Sequence, residues 1–230
     1  MAAEKPMFSE ANKRIRKILF SMRLNVPTEP ITESDMRNLM ISLRKRDDRF
    51  KKCVQFMSPD KSSVMIHHPK DDRSVEMAQG SVSYTEPVKL DRHSFNGISK
   101  HLYEHYLTAK NIGLDQVKLV GKVYFLAFDV DPPAVDWLCR RMDIFNGFTR
   151  NFLEVRSTLV EEDMNIHLYV SAKNDEGEPA QSIKVRFDVN NHNQDDGIDD
   201  HTFGRVIDFA DEFAKTRLLD LLETNFGGQS

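Results

Sequence analysis

Cysteine, tryptophan and glycine are all scarce in this 230-residue chain, with two, one and ten copies. Cys53 and Cys139 stand in separate segments. That excludes a disulfide framework and reads as two small buried hydrophobes in a reducing compartment. The glycines are scattered. None forms a Gly-rich loop before Lys-Ser/Thr, a Gly-x-Gly-x-x-Gly turn or a Gly-x-Ser-x-Gly elbow, so the signatures of nucleotide cradles and serine hydrolases are missing. Nine prolines are too few for a low-complexity chain. No apolar run approaches the ~20 residues of a bilayer span. Met1-Ala2-Ala3-Glu4-Lys5-Pro6 lacks the apolar core of a secretory signal, so a cytoplasmic protein is expected.

What is present is the balance of a globular chain: 40% hydrophobic and 30% charged residues, at a length that buries a core without metal or disulfide staples. The formal charge of −4 hides a split. Residues 1–115 carry 20 Lys/Arg against 15 Asp/Glu, net +5, and residues 116–230 carry 12 against 21, net −9. Such asymmetry points to a polarised surface and an oriented partner.

Periodicity supplies the elements. Phe20, Met22, Leu24 and Val26 alternate with polar residues as in a half-buried strand that Pro27 and Pro30 end. Thr32 with Asp35 makes a helix start. Ile31, Met36, Leu39, Met40 and Leu43 follow at helical spacing. Strands are expected at Cys53–Met57, Ser63–His67 and Ser81–Leu90, with Pro69–Arg73 a polar loop. A helix carrying Phe95, Ile98, Leu102, Tyr106 and Ala109 then ends at Asn111 and Gly113. The order recurs: a strand in Val117–Val130, a helix opening at Asp131-Pro132 and stopping at Gly147, and strands at Phe152–Val160, Asn165–Ala172 and Ser182–Val189. Asn174–Gly177 is a hairpin loop, and a last helix runs from about His201 to about Thr224. The expected class is α+β. Two β-α-β-β-β-α pseudo-repeats, 13–113 and 114–226, form one curved, mainly antiparallel sheet with helices on one face, between a flexible 1–12 and a loose 227–230. The short join at Asn111–Asp115 has no Gly/Ser/Pro linker, which favours one pseudo-two-fold domain over two.

That order resembles the TATA-box-binding protein and helix-grip folds, in which a curved antiparallel sheet cradles long helices. A second resemblance, to an uncharacterised, sporadically distributed bacterial family of similar size, rests on Lys118–Tyr124 opening the second half and on Val185-Arg186-Phe187-Asp188-Val189 before a polar loop and a long helix. The family's Gly-Leu-Arg-Tyr type of run is missing from the middle strand. The resemblance implies no chemistry, so no functional residue is carried over.

Candidate chemistry is thin. Lys51 and Lys52 precede Cys53 and would favour its thiolate if it were exposed, yet a core role suits both cysteines better. His67 and His68 are adjacent on a strand and point to opposite faces. His101 and His105, with Glu104 beside them, share a helix face at zinc-compatible spacing, but lack a third ligand. The acidic run Asp195–Asp200 fails the calcium-loop pattern at His192 and Phe203 and reads as a loop whose Asp199 or Asp200 caps the last helix. Phe56 and Tyr84 could stack on bases or belong to the core. Two basic stretches remain, Lys13-Arg14-Ile15-Arg16-Lys17 and a cluster of Arg44, Lys45, Arg46, Arg49, Lys51 and Lys52, with Arg140-Arg141 a thinner echo. The second stretch is the expected partner-binding surface, on a helix end whose dipole already favours cations. The expectation is a non-enzymatic binding or assembly protein with no cofactor, no metal site and no membrane partner. It acts on a protein partner or a second copy of itself. The alternative is a nucleic-acid-binding protein using the same cluster.

Overall fold

A computed structural model describes residues 8–25, 27–87, 92–130, 134–141, 152–173, 182–191 and 198–226. The chain opens on β1 (Lys13–Leu24), where Ile18, Phe20 and Met22 are buried and the residues between them face the other way. A capping box starts α1 (Glu33–Arg46): Asp35 N–H donates to Thr32 Oγ1 at 3.1 Å and Thr32 N–H donates to Asp35 Oδ2 at 2.9 Å. A 3-10 turn at Asp48–Lys52 buries Phe50. A four-strand meander follows: β2 (Val54–Met57), β3 (Ser63–His67), β4 (Ser74–Ala78) and β5 (Ser81–Pro87). Gly80, at φ 91°, makes the tight turn between the last two. Then come α2 (Arg92–Lys110), β6 (Val117–Asp129), α3 (Ala134–Arg141), β7 (Phe152–Glu161), β8 (Met164–Lys173), β9 (Ser182–Asn191), α4 (Thr202–Thr216) and α5 (Leu218–Phe226).

All nine strands form one antiparallel sheet in the order β2-β3-β4-β5-β1-β6-β9-β8-β7. The class is α+β, as expected. Alternation fixes which face is covered: Val82 and Tyr84, Tyr124 and Phe128, Ile166 to Ala172, and Ile183 to Val189 at every second residue are buried under the helices. Phe20 meets Phe203 of α4 at 5.6 Å, Tyr84 stacks on Phe95 of α2 at 5.1 Å, and Phe187 stacks on Phe213 of α4 at 5.2 Å. No helix among the described residues is long and apolar enough to cross a membrane.

Three expectations need correcting. The first half holds four strands after its helix, not three: Ser74–Ala78 pairs with both β3 and β5, a short alternating segment that the neighbouring polar loop obscures. The last helix is two, broken at Arg217. Of the segment expected to be flexible, Phe8 is 2% exposed, packs edge-on against Phe128 and Trp137, and donates its N–H to Glu223 at 2.9 Å. An aromatic that finds an apolar pocket orders its terminus. The expected Asp131-Pro132 helix start, the Gly147 stop, the Asn174–Gly177 loop and the 227–230 tail lie outside the described residues.

Candidate functional site

The uncovered face of the sheet gathers charge that the sequence disperses. In β1, Arg16 is the extra residue of a bulge: Ile15 pairs with Leu126 but Lys17 with Phe125. A bulge re-aims side chains, and Arg14, Arg16 and Lys17 all line one concavity of about 570 Å³. Register then sets a row across five strands: Lys17 opposite Phe125, Phe125 opposite Arg186, Arg186 opposite Tyr169, Tyr169 opposite Arg156. Cation and aromatic alternate from β1 to β7. Lys17 Nζ lies 4.7 Å from the Phe125 ring centre. The Arg186 guanidinium lies 6.0 Å from Phe125 and 5.0 Å from Tyr169, and that of Arg156 lies 5.5 Å from Tyr169. Cation–π attraction holds the charged ends of these long side chains close to the rings. The adjoining row, Arg14, Ala127, Lys184, Ser171 and Glu154, has small residues between its cations and makes the floor.

Carboxylates balance part of this charge. Arg186 pairs with Asp188 at 3.0 Å, Arg156 with Glu154 at 2.6 Å, and Arg14 with Asp129. Arg16, Lys17 and Lys184 have no carboxylate partner among the described residues. Other acidic residues of the second half stand on the helices, among them Asp136 on α3, Asp208 and Glu212 on α4, and Asp220 and Glu223 on α5.

The expected basic cluster sits elsewhere, at the end of α1 and in the 3-10 turn. Arg44, Lys45, Arg46, Lys51 and Lys52 are exposed and Arg49 is half-buried. Arg49 forks onto Asp47 at 2.8–2.9 Å and lies 3.8 Å from Glu86. Lys51 meets Asp48 at 2.7 Å, and Arg44 Nε donates to Phe50 O at 3.5 Å. Hydrogen bonding to Arg49 holds the Asp47 carboxyl below its usual range. Arg140 and Arg141 have side chains outside the described set.

The remaining candidates resolve into structure. Phe56 is exposed and stacks on His67 at 5.2 Å, whereas Tyr84 is core and donates to Glu86. His68 Nδ1 lies 3.1 Å from Asp71. His101 and His105 do share a face, 6.1 Å apart. His101 Nε2 is 2.5 Å from Ser42 Oγ, and burial pushes both imidazoles down in pKa. Among the described residues no three His, Cys, Asp or Glu converge as a metal site. Cys53 is buried, and burial raises its thiol. Asp199 accepts from Thr202 Oγ1 at 2.6 Å and from His201 N–H at 3.0 Å. The helix's capping position is His201, with no side-chain cap, so Asp199 orders the loop rather than capping; Asp195–Gly197 are not described. Phe125, Arg156, Tyr169, Lys184 and Arg186 escape sequence reasoning because each is an ordinary outward residue of its strand; only the Lys13–Lys17 run marks the place.

No family model matches the chain, and no curated protein matches it. Among solved structures, a similar chain is the immunity protein TplEi of T6SS from Pseudomonas aeruginosa, complexed with an "L" peptide. It is 9% identical over 87% of this chain and 91% of that chain, with a TM-score of 0.18. A likeness at that TM-score does not show a shared fold.

Proposed function

We propose that this chain is a binding protein, without chemistry of its own, that seats an anionic macromolecule on the open face of its sheet. The carrying observation is the five-strand row Lys17–Phe125–Arg186–Tyr169–Arg156 beside Arg14, Arg16 and Lys184. Six cations that would repel or scatter on a plain surface are gathered by ring faces and a bulge over one concavity. The buried charged groups, by contrast, are committed to internal pairs: Arg73 with Glu86, and Lys122 with Asp211. In this reading residues 13–226 are one cytoplasmic pseudo-two-fold domain. β1 and β6 lie side by side at its centre, each flanked by a meander of its own half, and the binding face crosses that join.

The test is binding of a heparin oligosaccharide, a sulfated polyanion, at two salt concentrations. Affinity falls steeply as salt rises. Lys184→Glu/Arg186→Glu lowers it at least about tenfold, whereas Arg44→Glu/Arg46→Glu leaves it within about twofold. The reverse ranking moves the site to the end of α1, and salt-independent binding by both variants removes the proposal. Light scattering at rising protein concentration reports whether a second copy is the occupant.

A further inference from the structure

The open face also carries planar surfaces, and these narrow the class of anion. An acidic polypeptide offers carboxylates on flexible stems. It is satisfied by cations alone and gains nothing from a flat aromatic floor. A nucleic-acid strand offers phosphates at regular intervals and a planar base beside each one. The row answers to both. Phe125 and Tyr169 are half-buried, so their rings are held in place, and the guanidinium groups of Arg186 and Arg156 lie 5.0–6.0 Å from them. Side-chain exposure of 46% for Arg186 and 72% for Arg156 leaves these planar groups accessible from solvent. Neighbouring strands are about 4.8 Å apart, so the row from β1 to β7 spans about 19 Å. Sheet faces of comparable width stack two or three bases of a single strand.

The cations without carboxylate partners fall where a backbone would run. Arg16 and Lys17 stand on β1 and Lys184 on β9, around the low floor made by Ala127 and Ser171. Bases over the row and phosphates over the floor would use both lines of residues. A duplex hides its base faces and could use only the cations.

We propose that the anionic partner is single-stranded nucleic acid, its bases stacked on the Arg186–Tyr169–Arg156 end of the row and its phosphates held by Arg16, Lys17 and Lys184. This rests on the open-face reading above.

Fluorescence anisotropy with a labelled oligothymidylate of about 12 nucleotides tests it, with a matched duplex and polyglutamate as competing probes. The single strand is expected to bind more tightly than either. Its affinity should fall about 20–50-fold between about 50 and about 200 mM salt, as release of counterions from three or four phosphates requires. Tyr169→Leu, on the open face, should lose about tenfold through stacking while Tyr169→Phe keeps parental affinity; matching thermal melts establish that both variants fold. Polyglutamate binding without oligothymidylate binding overturns the nucleic-acid assignment and leaves the anion face standing. If neither probe binds, both fall. A duplex that binds as tightly as the single strand, or Tyr169→Leu at parental affinity, overturns base stacking.

Discussion

Lys122 is fully buried, and its position on β6 would be an unpaired charge in the core if two polar groups and two rings did not meet it. Its Nζ donates to Asp211 Oδ1 at 2.5 Å and to Asn96 Oδ1 at 2.7 Å, and Asn96 Nδ2 donates to the other Asp211 oxygen at 2.8 Å. Tyr124 Oη–H also donates to Asp211, and the rings of Phe95 and Tyr124 lie 5.2–5.3 Å from the ammonium. One salt bridge thereby ties the central strand to α4, and the Asn96 amide ties both to α2. Burial alone would raise the Asp211 carboxyl, but the Lys122 charge and three hydrogen bonds outweigh it and hold the pKa below the usual value. The sign follows: the stabilisation is complete above the unfolded carboxylate pKa and is lost as pH falls through the depressed folded one. Lys122→Met should destabilise the fold by up to about 3 kcal/mol, because it leaves the half-buried Asp211 carboxylate without its cation. Lys122→Met/Asp211→Leu should recover most of that loss. Urea unfolding of the single and double variants at neutral pH measures both, and equal losses would deny the pairing its role.

At the scale of elements, a second buried pair locks the 3-10 turn to the meander. Arg73 forks onto Glu86 at 2.7 and 2.8 Å, Tyr84 donates to the same carboxylate, and Arg49 approaches it from the turn while holding Asp47. Glu86 is only 2% exposed, on the last turn of β5's alternation, where an apolar residue is the usual occupant. Arg73→Met should cost about 3 kcal/mol, because it leaves that buried carboxylate only the Tyr84 hydroxyl and the more distant Arg49. Hydrogen exchange should show the 3-10 turn and β5 losing protection before β8 and β9 do, and uniform loss would contradict the local lock. Most strands and the first two helices are legible in the sequence. Thr32 and Asp35 announce α1 by the chemistry of its first turn, and Phe95 to Tyr106 announce α2 by spacing. Ser74-Val75-Glu76-Met77-Ala78 carries only two large apolar residues, so five residues of strand hide beside a polar loop. Glu86 reads as an outward polar residue, because its partner Arg73 lies 13 positions away, just ahead of β4.

Across the whole molecule, the candidate site was illegible for a related reason. Its residues come from five strands, and neither the β1–β6 pairing nor the β9–β8–β7 order can be read from a single strand's alternation. The bulge at Arg16 compounds this, since it shifts the register that composition suggests. The centre of the sheet depends on one small residue. A Cβ on Gly121 would meet Val189 O at 3.3 Å and Ser21 Oγ at 3.4 Å, from the strands on either side. Gly121→Val should force those strands apart at a cost of about 1–3 kcal/mol and weaken anion binding along with stability. A variant of parental stability in urea would show that the sheet tolerates the bulk. The position of β1 has a further consequence during synthesis. β1, an interior strand, leaves the ribosome well ahead of its partners: β5 and β6 begin 57 and 93 residues after it ends. At about 5–20 residues per second, this ribbon waits several seconds with both backbone margins bare, open to adventitious pairing until the rest of the sheet closes around it.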